Sequence, residues 1–381
     1  YSDARALYLF ALTRFPDDPE IIEPLARVDS WEGCWKLAES EFRSVLQAHP
    51  DDDEARGGLV DVLSWQSRWR EAEALLAEGE KQNPHSAPLL AREARLALWR
   101  GDATEAARLA DEALKLDPSD TELRDFRESI VLGTASADLR LDAYPGGYPN
   151  VYTYGAAVMQ RWHKFEFTVD SHIIQRSGGT LTSDIVDGLR TIGATYHPTY
   201  GMLLHLDVGY GNPATAIPQY AAHGTFSTTL WGRFTGTLDA TFWAFTLGRD
   251  VAIINPAVAY EVNDDLELAL RWYTAYLTIA SGDGHPFSSN VANTIDLHGT
   301  WRPKKGWSLS ADYAYGAQLE AAPTLESIFS YTSNVLAAGV DHVLRRDLGV
   351  RGLLALERRA SDTTSEVIWI ESVEVGGYVR W

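Results

Sequence analysis

The sequence predicts an α + β protein of two domains: an N-terminal α-solenoid over residues 1–132, a linker at 133–137, and a C-terminal antiparallel transmembrane β-barrel of about fourteen strands over 138–381. Three observations carry this reading. Up to about residue 137 the chain is rich in Ala, Leu, Glu and Arg, whereas the remainder holds most of the aromatics, Gly and Thr, a shift from helix formers to strand formers. The first part repeats itself every 34 residues. The second alternates apolar and polar side chains with period two, and the connections between its runs alternate between short and long.

The repeat is legible residue by residue. Pro16, Pro50, Pro84 and Pro118 are each 34 apart, as are Trp31, Trp65 and Trp99, and Ala4, Ala38, Ala72 and Ala106. Gly33, Ser67 and Gly101 fall where two helices of a unit would turn. Each unit reads as a pair of amphipathic helices. The small Ala38, Ala72 and Ala106 admit close approach, the Trp side chains pack the repeat, and the Pro ends the second helix. Phe42, Leu76 and Ala110 fall on the inward face of the second helices. Three units are complete, roughly 17–50, 51–84 and 85–118, and 119–132 predicts a capping helix. Residues 1–16 match only the second half of a unit, and the chain opens on Tyr1, so a longer natural N-terminus is expected. Asp51, Asp52 and Asp53 read as a helix start, where negative charge opposes the macrodipole. Such an array serves either as a spacer or as a concave binding surface.

Gly133-Thr134-Ala135-Ser136 predicts a helix stop followed by a joint. Strands are then expected at 138–144, 151–161, 165–175, 186–197, 201–210, 220–231, 234–247, 251–262, 265–277, 290–302, 306–316, 329–344, 347–359 and 366–381. Tight connections such as His163-Lys164 and Gly232-Arg233 alternate with longer ones such as 176–185, 278–289 and 317–328; the connection at Gly248-Arg249-Asp250 is the exception. Transmembrane barrels are built in this way, with tight turns on the periplasmic side. An even strand number brings both ends of the barrel to that side, which would put the repeats in the periplasm.

Aromatics crowd the tight-turn side. Trp162 and Phe165 flank one turn, Tyr196 and Tyr200 the next, Trp231 and Phe234 the third, Trp301 and Trp307 a later one, and the chain ends on Trp381. They predict a membrane girdle. The lysines of this part, Lys164, Lys304 and Lys305, sit in the same turns. A soluble β-sandwich or propeller would show the same period-two alternation; the girdle, the loop lengths and the terminal Trp favour the membrane barrel.

The chain has 381 residues, 45% hydrophobic and 23% charged, and a net charge of -20, which argues against disorder and against nucleic acid as a partner. The lone Cys34 excludes an internal disulfide and a cysteine zinc cluster. No apolar run is long enough for a transmembrane helix. The polar strand face predicts a lumen lined by Arg140, Asp142, Glu166, Asp170, His172, His205, Asp207 and Asp239. The second half adds Glu267, Arg271, Asp296, His298, Asp312, Arg351, Glu357, Glu374 and Arg380. Mixed signs imply either a wet pore or a salt-bridged interior, and the acidic excess implies a slight preference for cations. Loops 278–289, with Gly282, Gly284 and Pro286, and 317–328 are candidates to fold inward. Asp170 with His172, His205 with Asp207, and Asp296 with His298 place a carboxylate and an imidazole two residues apart, the spacing a general base needs, but that spacing is generic on a polar strand. No serine-nucleophile motif, phosphate loop or metal-ligand cluster is visible, so neither enzyme activity nor a cofactor nor a metal is expected.

The 34-residue units, with Trp31, Trp65, Trp99 and the alanines above, resemble the tetratricopeptide repeat family. Repeats of this kind followed by a C-terminal barrel resemble the YaiO family of outer-membrane proteins. The same domain order is similar to that of biofilm exopolysaccharide exporters, in which periplasmic repeats receive a polymer or a modifying enzyme and the barrel passes it outward. An alternating last strand closing on Trp381 resembles the signal read by the barrel insertion machinery. The resemblance implies an outer-membrane protein of a diderm bacterium with periplasmic repeats. Its partners would be outer-membrane lipid, a periplasmic protein or exopolysaccharide at the repeats, and the insertion machinery. The function expected is transport of a polysaccharide or small solutes; the alternatives are a non-conducting anchor for a repeat scaffold and, second, an outer-membrane hydrolase.

Overall fold

A computed structural model describes residues 2–66, 68–199, 201–246, 249–279, 288–317, 331–362 and 364–381. Ser67, Tyr200, Gly248 and most of loops 278–289 and 317–328, with Gly282, Gly284 and Pro286, lie outside the described residues. The chain forms two compact units, Tyr1–Ile130 and Val131–Trp381.

The first unit is helical: α1 (Ser2–Leu12), α2 (Pro19–Trp31), α3 (Trp35–Ala48), α4 (Asp53–Trp65), α5 (Trp69–Gln82), α6 (Ala87–Trp99), α7 (Ala103–Leu116) and α8 (Thr121–Ser129). The three pairs each join a helix of 13 residues to one of 14. Asp18, Asp52, Ser86 and Asp120 cap α2, α4, α6 and α8, each accepting a backbone N–H with its side chain. The capping positions keep the 34-residue period, and each cap is worth about 1 kcal/mol. Gly33 and Gly101 turn the chain between paired helices at φ +79° and +85°, a region costly for any residue with a Cβ.

Ala38, Ala72 and Ala106 are fully buried, and Phe42 and Leu76 fill the space beside them. The tryptophans do not share this role equally. Trp31 and Trp65 are 53% and 38% exposed. Trp99 packs on the core, with its ring 6.2 Å from that of Trp69. Each Trp closes the first helix of its unit, at the turn, and Leu25, Leu59, Val60 and Leu63 occupy the inter-helix space; Trp99 differs in having the Trp69 ring beside it.

The second unit is a closed antiparallel barrel. Its strands are β1 (Gly133–Ala143), β2 (Asn150–Trp162), β3 (Phe165–Ser177), β4 (Ile185–Tyr196), β5 (Met202–Gly211), β6 (Tyr220–Trp231) and β7 (Phe234–Phe245), then β8 (Arg249–Glu261), β9 (Leu266–Ile279), β10 (Ser288–Trp301), β11 (Trp307–Ala317), β12 (Tyr331–Arg345), β13 (Leu348–Ser361) and β14 (Val367–Arg380). Each strand pairs with its sequence neighbours, and β1 closes on β14. The expected linker at 133–137 is therefore strand, paired with both β2 and β14. Its small residues fit the seam: a Cβ on Gly133 would overlap the Trp381 indole. The main chains of Gly133 and Trp381 exchange N–H···O bonds of 3.0 Å in both directions.

The apolar strand face is the outer one. Val158, Val169, Ile192, Leu206, Leu336 and Leu354 are between 51% and 62% exposed. A water-soluble β-domain turns this face inward; a transmembrane barrel turns it to hydrocarbon, with every ladder hydrogen bond satisfied by closure. Strands of 10 to 15 residues suffice for the tilted crossing. Pro256 in β8 donates no backbone N–H, and the β8–β9 ladder passes from Ile254 to Ala257 across it.

Candidate functional site

The barrel interior holds a cavity of about 260 Å³. Arg140 and Asp142 of β1 line it together with Arg271 of β9, Asp296 of β10, Asp312 of β11, and Glu357 and Arg359 of β13. Strands β9 to β14 and β1 are consecutive in the barrel, so the cavity lies against one continuous half of the inner wall. Cross-strand pairing carries the same inner face round the barrel through His172, Asp170 and Glu166 on β3, His205 and Asp207 on β5, and Asp239 on β7. It continues through Glu267 on β9, His298 on β10, Arg351 on β13, and Glu374 and Arg380 on β14.

Most of these groups are paired. The Arg271 guanidinium lies 3.0 Å from Asp296 and 3.8 Å from Asp312. Arg140 bonds Asp142 at 2.8 Å, and Arg351 reaches Asp138 at 2.6 Å and Glu374 at 3.9 Å. Arg359 grips Glu357 through two nitrogens, at 2.7 and 2.9 Å, and stands 5.6 Å over the Tyr144 ring. Arg380 donates to the Arg346 carbonyl at 2.6 Å, at the tight-turn rim.

The three carboxylate–imidazole pairs separate in their behaviour. Asp170 and His172 stand 3.4 Å apart, and His205 and Asp207 bond at 2.9 Å. Asp296 turns to Arg271, and His298 bonds Asp312 at 2.5 Å and Thr300 at 2.9 Å, so the third pair does not form.

Several interior groups escape the sequence reading. Asp138, Arg359 and the buried Arg176–Asp187 pair, at 3.0 Å, belong to the inner face by period-two extension. Asp187 also accepts the backbone N–H groups of Thr215 and Ala216, at 2.7 and 3.0 Å, which fastens the connection between β5 and β6 to the inner wall. His223 is the most consequential omission; its alternation with Ala222 and Gly224 on β6 is the signal for it. His223, His205 and Asp207 present donor atoms within 4.8 Å of one another. The cluster spans two strands, so no linear motif records it. The inner wall is also not polar throughout. Val251, Ile253, Ala275 and Leu277 form a buried cluster with Trp243, Phe245 and Tyr273 on β7–β9.

At the tight-turn end, Trp162 pairs with Phe165, and Phe165 stacks on Tyr196 with centroids 5.1 Å apart. Trp231, Phe234 and Tyr260 follow at 5.4 and 4.6 Å. Trp307 stacks on His342 at 3.9 Å under Lys304, and Trp301 and Trp381 are exposed on the outer face. Tyr200 lies outside the described residues.

The tetratricopeptide repeat family matches the chain at residues 31–91. No curated protein matches it. Among solved structures, the barrel is similar to the CymD monoaromatic hydrocarbon channel, with 9% identity, TM-score 0.47, and coverage of 66% of this chain and 89% of that one. It is also similar to the NanC porin, with 10% identity, TM-score 0.39, and coverage of 64% and 100%. The helical unit is similar to a thermophilic tetratricopeptide-repeat protein of Thermus thermophilus, with 21% identity, TM-score 0.31, and coverage of 33% and 70%.

The repeats carry charge across their first helices. Arg27 meets Glu54 at 3.3 Å, Arg92 meets Glu54 at 3.6 Å and Asp61 at 3.4 Å, and Arg95 meets Glu122 at 2.6 Å. Burial pushes the Asp61 carboxyl up, against the pull of Arg92, Arg95 and Arg27. Burial and the nearby Asp29 push the Glu41 carboxyl up to about 7. Burial and Glu80 do the same for Glu93, also to about 7.

Proposed function

We propose that this chain is an outer-membrane transport protein whose repeats lie in the periplasm and dock a partner, and whose barrel passes polar solutes. One observation carries the reading. A barrel with an apolar exterior holds, against its inner wall, a cavity lined by Arg140, Asp142, Arg271, Asp296, Glu357 and Arg359. Such a lining suits hydrated, hydrogen-bonding cargo. A cavity of about 260 Å³ accommodates a small solute or a short stretch of sugar chain. That is compatible with a polysaccharide threaded residue by residue, the cargo implied by the resemblance to exopolysaccharide exporters. Tetratricopeptide repeats mediate protein–protein interactions in general, and the mixed charges along α2, α4 and α6 favour a polar partner surface. The terminal Trp381 fits recognition by the insertion machinery.

A second reading has its own support. Arginine–carboxylate pairs tie together the inner faces of nearby strands, and the β5–β6 connection is fastened to the inner wall, which favours a closed barrel that anchors the repeats. Planar-bilayer recording of the purified chain separates the two. Stepwise conductance supports transport; a silent bilayer containing correctly folded barrels overturns it in favour of the anchor.

A further inference from the structure

His205 and His223 converge on one carboxylate oxygen. His205 Nε2 lies 2.9 Å and His223 Nδ1 3.0 Å from Asp207 Oδ2. The opposite nitrogen of each ring is held by a threonine: His205 Nδ1 lies 2.8 Å from Thr195 Oγ1, and His223 Nε2 lies 3.3 Å from Thr225 Oγ1. Metal-binding histidines are held in this way, with the far nitrogen bonded so that the near lone pair points at the ion.

Thr225 has one hydroxyl hydrogen, and it goes to Asp239 Oδ1 at 2.6 Å. Toward His223 the Thr225 oxygen can therefore only accept, so His223 Nε2 carries the proton. The neutral ring then turns the lone pair of Nδ1 toward the Asp207 carboxylate, lone pair against lone pair at 3.0 Å. A proton on His223 Nδ1 relieves this contact, as does a cation shared by the three donors.

We infer that His205, Asp207 and His223 form a binding site in the barrel wall for a late first-row divalent cation of the Zn²⁺ type. The separations of 2.9 and 3.0 Å are close to the roughly 3.3 Å between donors set about 2 Å from a tetrahedral zinc. Two imidazoles and one carboxylate select such ions over Mg²⁺ and Ca²⁺, which prefer all-oxygen shells. The three side chains project from the inner face, so the remaining coordination position opens to the lumen. The site does not depend on whether the barrel conducts.

The test is calorimetric titration of the detergent-solubilised full chain with ZnCl2, and separately with MgCl2. One Zn²⁺ per chain is expected, bound at least tenfold more weakly by the H205A/H223A double variant, with no comparable heat from Mg²⁺. Asp207→Asn preserves side-chain size and removes the anionic donor, so it serves if the double variant fails to fold, and the same weakening is expected. Wild-type protein that binds no Zn²⁺, or equal affinity and stoichiometry in wild type and variants, overturns the inference.

Discussion

Gly58 and Phe42 share one space: a Cβ on Gly58 would overlap the Phe42 ring. Phe42 is fully buried at the centre of the helical core, and Gly58 sits inside α4, where glycine costs about 1 kcal/mol relative to alanine. The packing contact outweighs that cost. Gly58→Ala gains helix propensity but forces an aromatic ring from its well, and overpacking of this kind costs about 1–3 kcal/mol. The variant is expected to lower the midpoint of the helical transition, followed by circular dichroism on the solubilised chain. An unchanged or raised midpoint would show that the ring relocates freely.

The helical unit should also lose stability as pH rises through the neutral range. Glu41 and Glu93 are held near pKa 7, above the ordinary value of 4.5. Between these values the folded unit binds protons that the unfolded chain has released, so stability falls with rising pH and levels off above about 7. Both groups are only partly buried, so after solvent screening the combined effect is on the order of 1–2 kcal/mol. The helical midpoint should be higher at pH 5 than at pH 8, and the E41Q/E93Q double variant should remove most of that difference. A midpoint that rises with pH in the wild type would contradict the assignment.

The repeat and the strand order were legible because both are periodic. Spacing alone exposes Ala38, Ala72 and Ala106, and the alternating loops count the strands. The capping series Asp18, Asp52, Ser86 and Asp120 has the same period, but its chemistry changes from Asp to Ser, which hides it from a search for identical residues. Gly133 reads as a helix stop because glycine ends helices; its role of admitting the Trp381 indole appears only when the two ends of the barrel meet. Lumen partners were not legible because they depend on register. Asp296 belongs to Arg271 rather than to His298, two residues away, and His223 joins Asp207 only because β5 pairs with β6.

Asp187 controls the connection between β5 and β6. It is fully buried, accepts two backbone N–H groups from that connection, and balances Arg176. Asp187→Ala removes all three interactions and leaves a buried guanidinium unpaired, a loss on the order of 3–5 kcal/mol. The expected result is new proteolytic cleavage within residues 212–219 of a barrel that is otherwise folded, together with larger or noisier conductance if this segment narrows the lumen. Cleavage resistance equal to that of the wild type would mean that other contacts hold the segment.

Charge selectivity follows from the inner face, where carboxylates outnumber guanidinium groups. Arg351 is the most informative position, because it neutralises Asp138 at 2.6 Å and Glu374 at 3.9 Å without being deeply buried. Arg351→Gln keeps much of the length and hydrogen-bonding capacity of the side chain while removing its charge. Two carboxylates then face the lumen without this guanidinium, and at an effective dielectric of about 20 each acts on a passing ion several ångströms away with an energy on the order of 2–3 kcal/mol. In a KCl gradient the wild-type barrel should show a reversal potential of the cation-preferring sign, and the variant should move further in that direction. The shift should shrink at high salt, where screening shortens the reach of both carboxylates. A reversal potential of the anion-preferring sign, or one unmoved by the substitution, would mean that ions pass elsewhere than along the wall that Arg351 occupies.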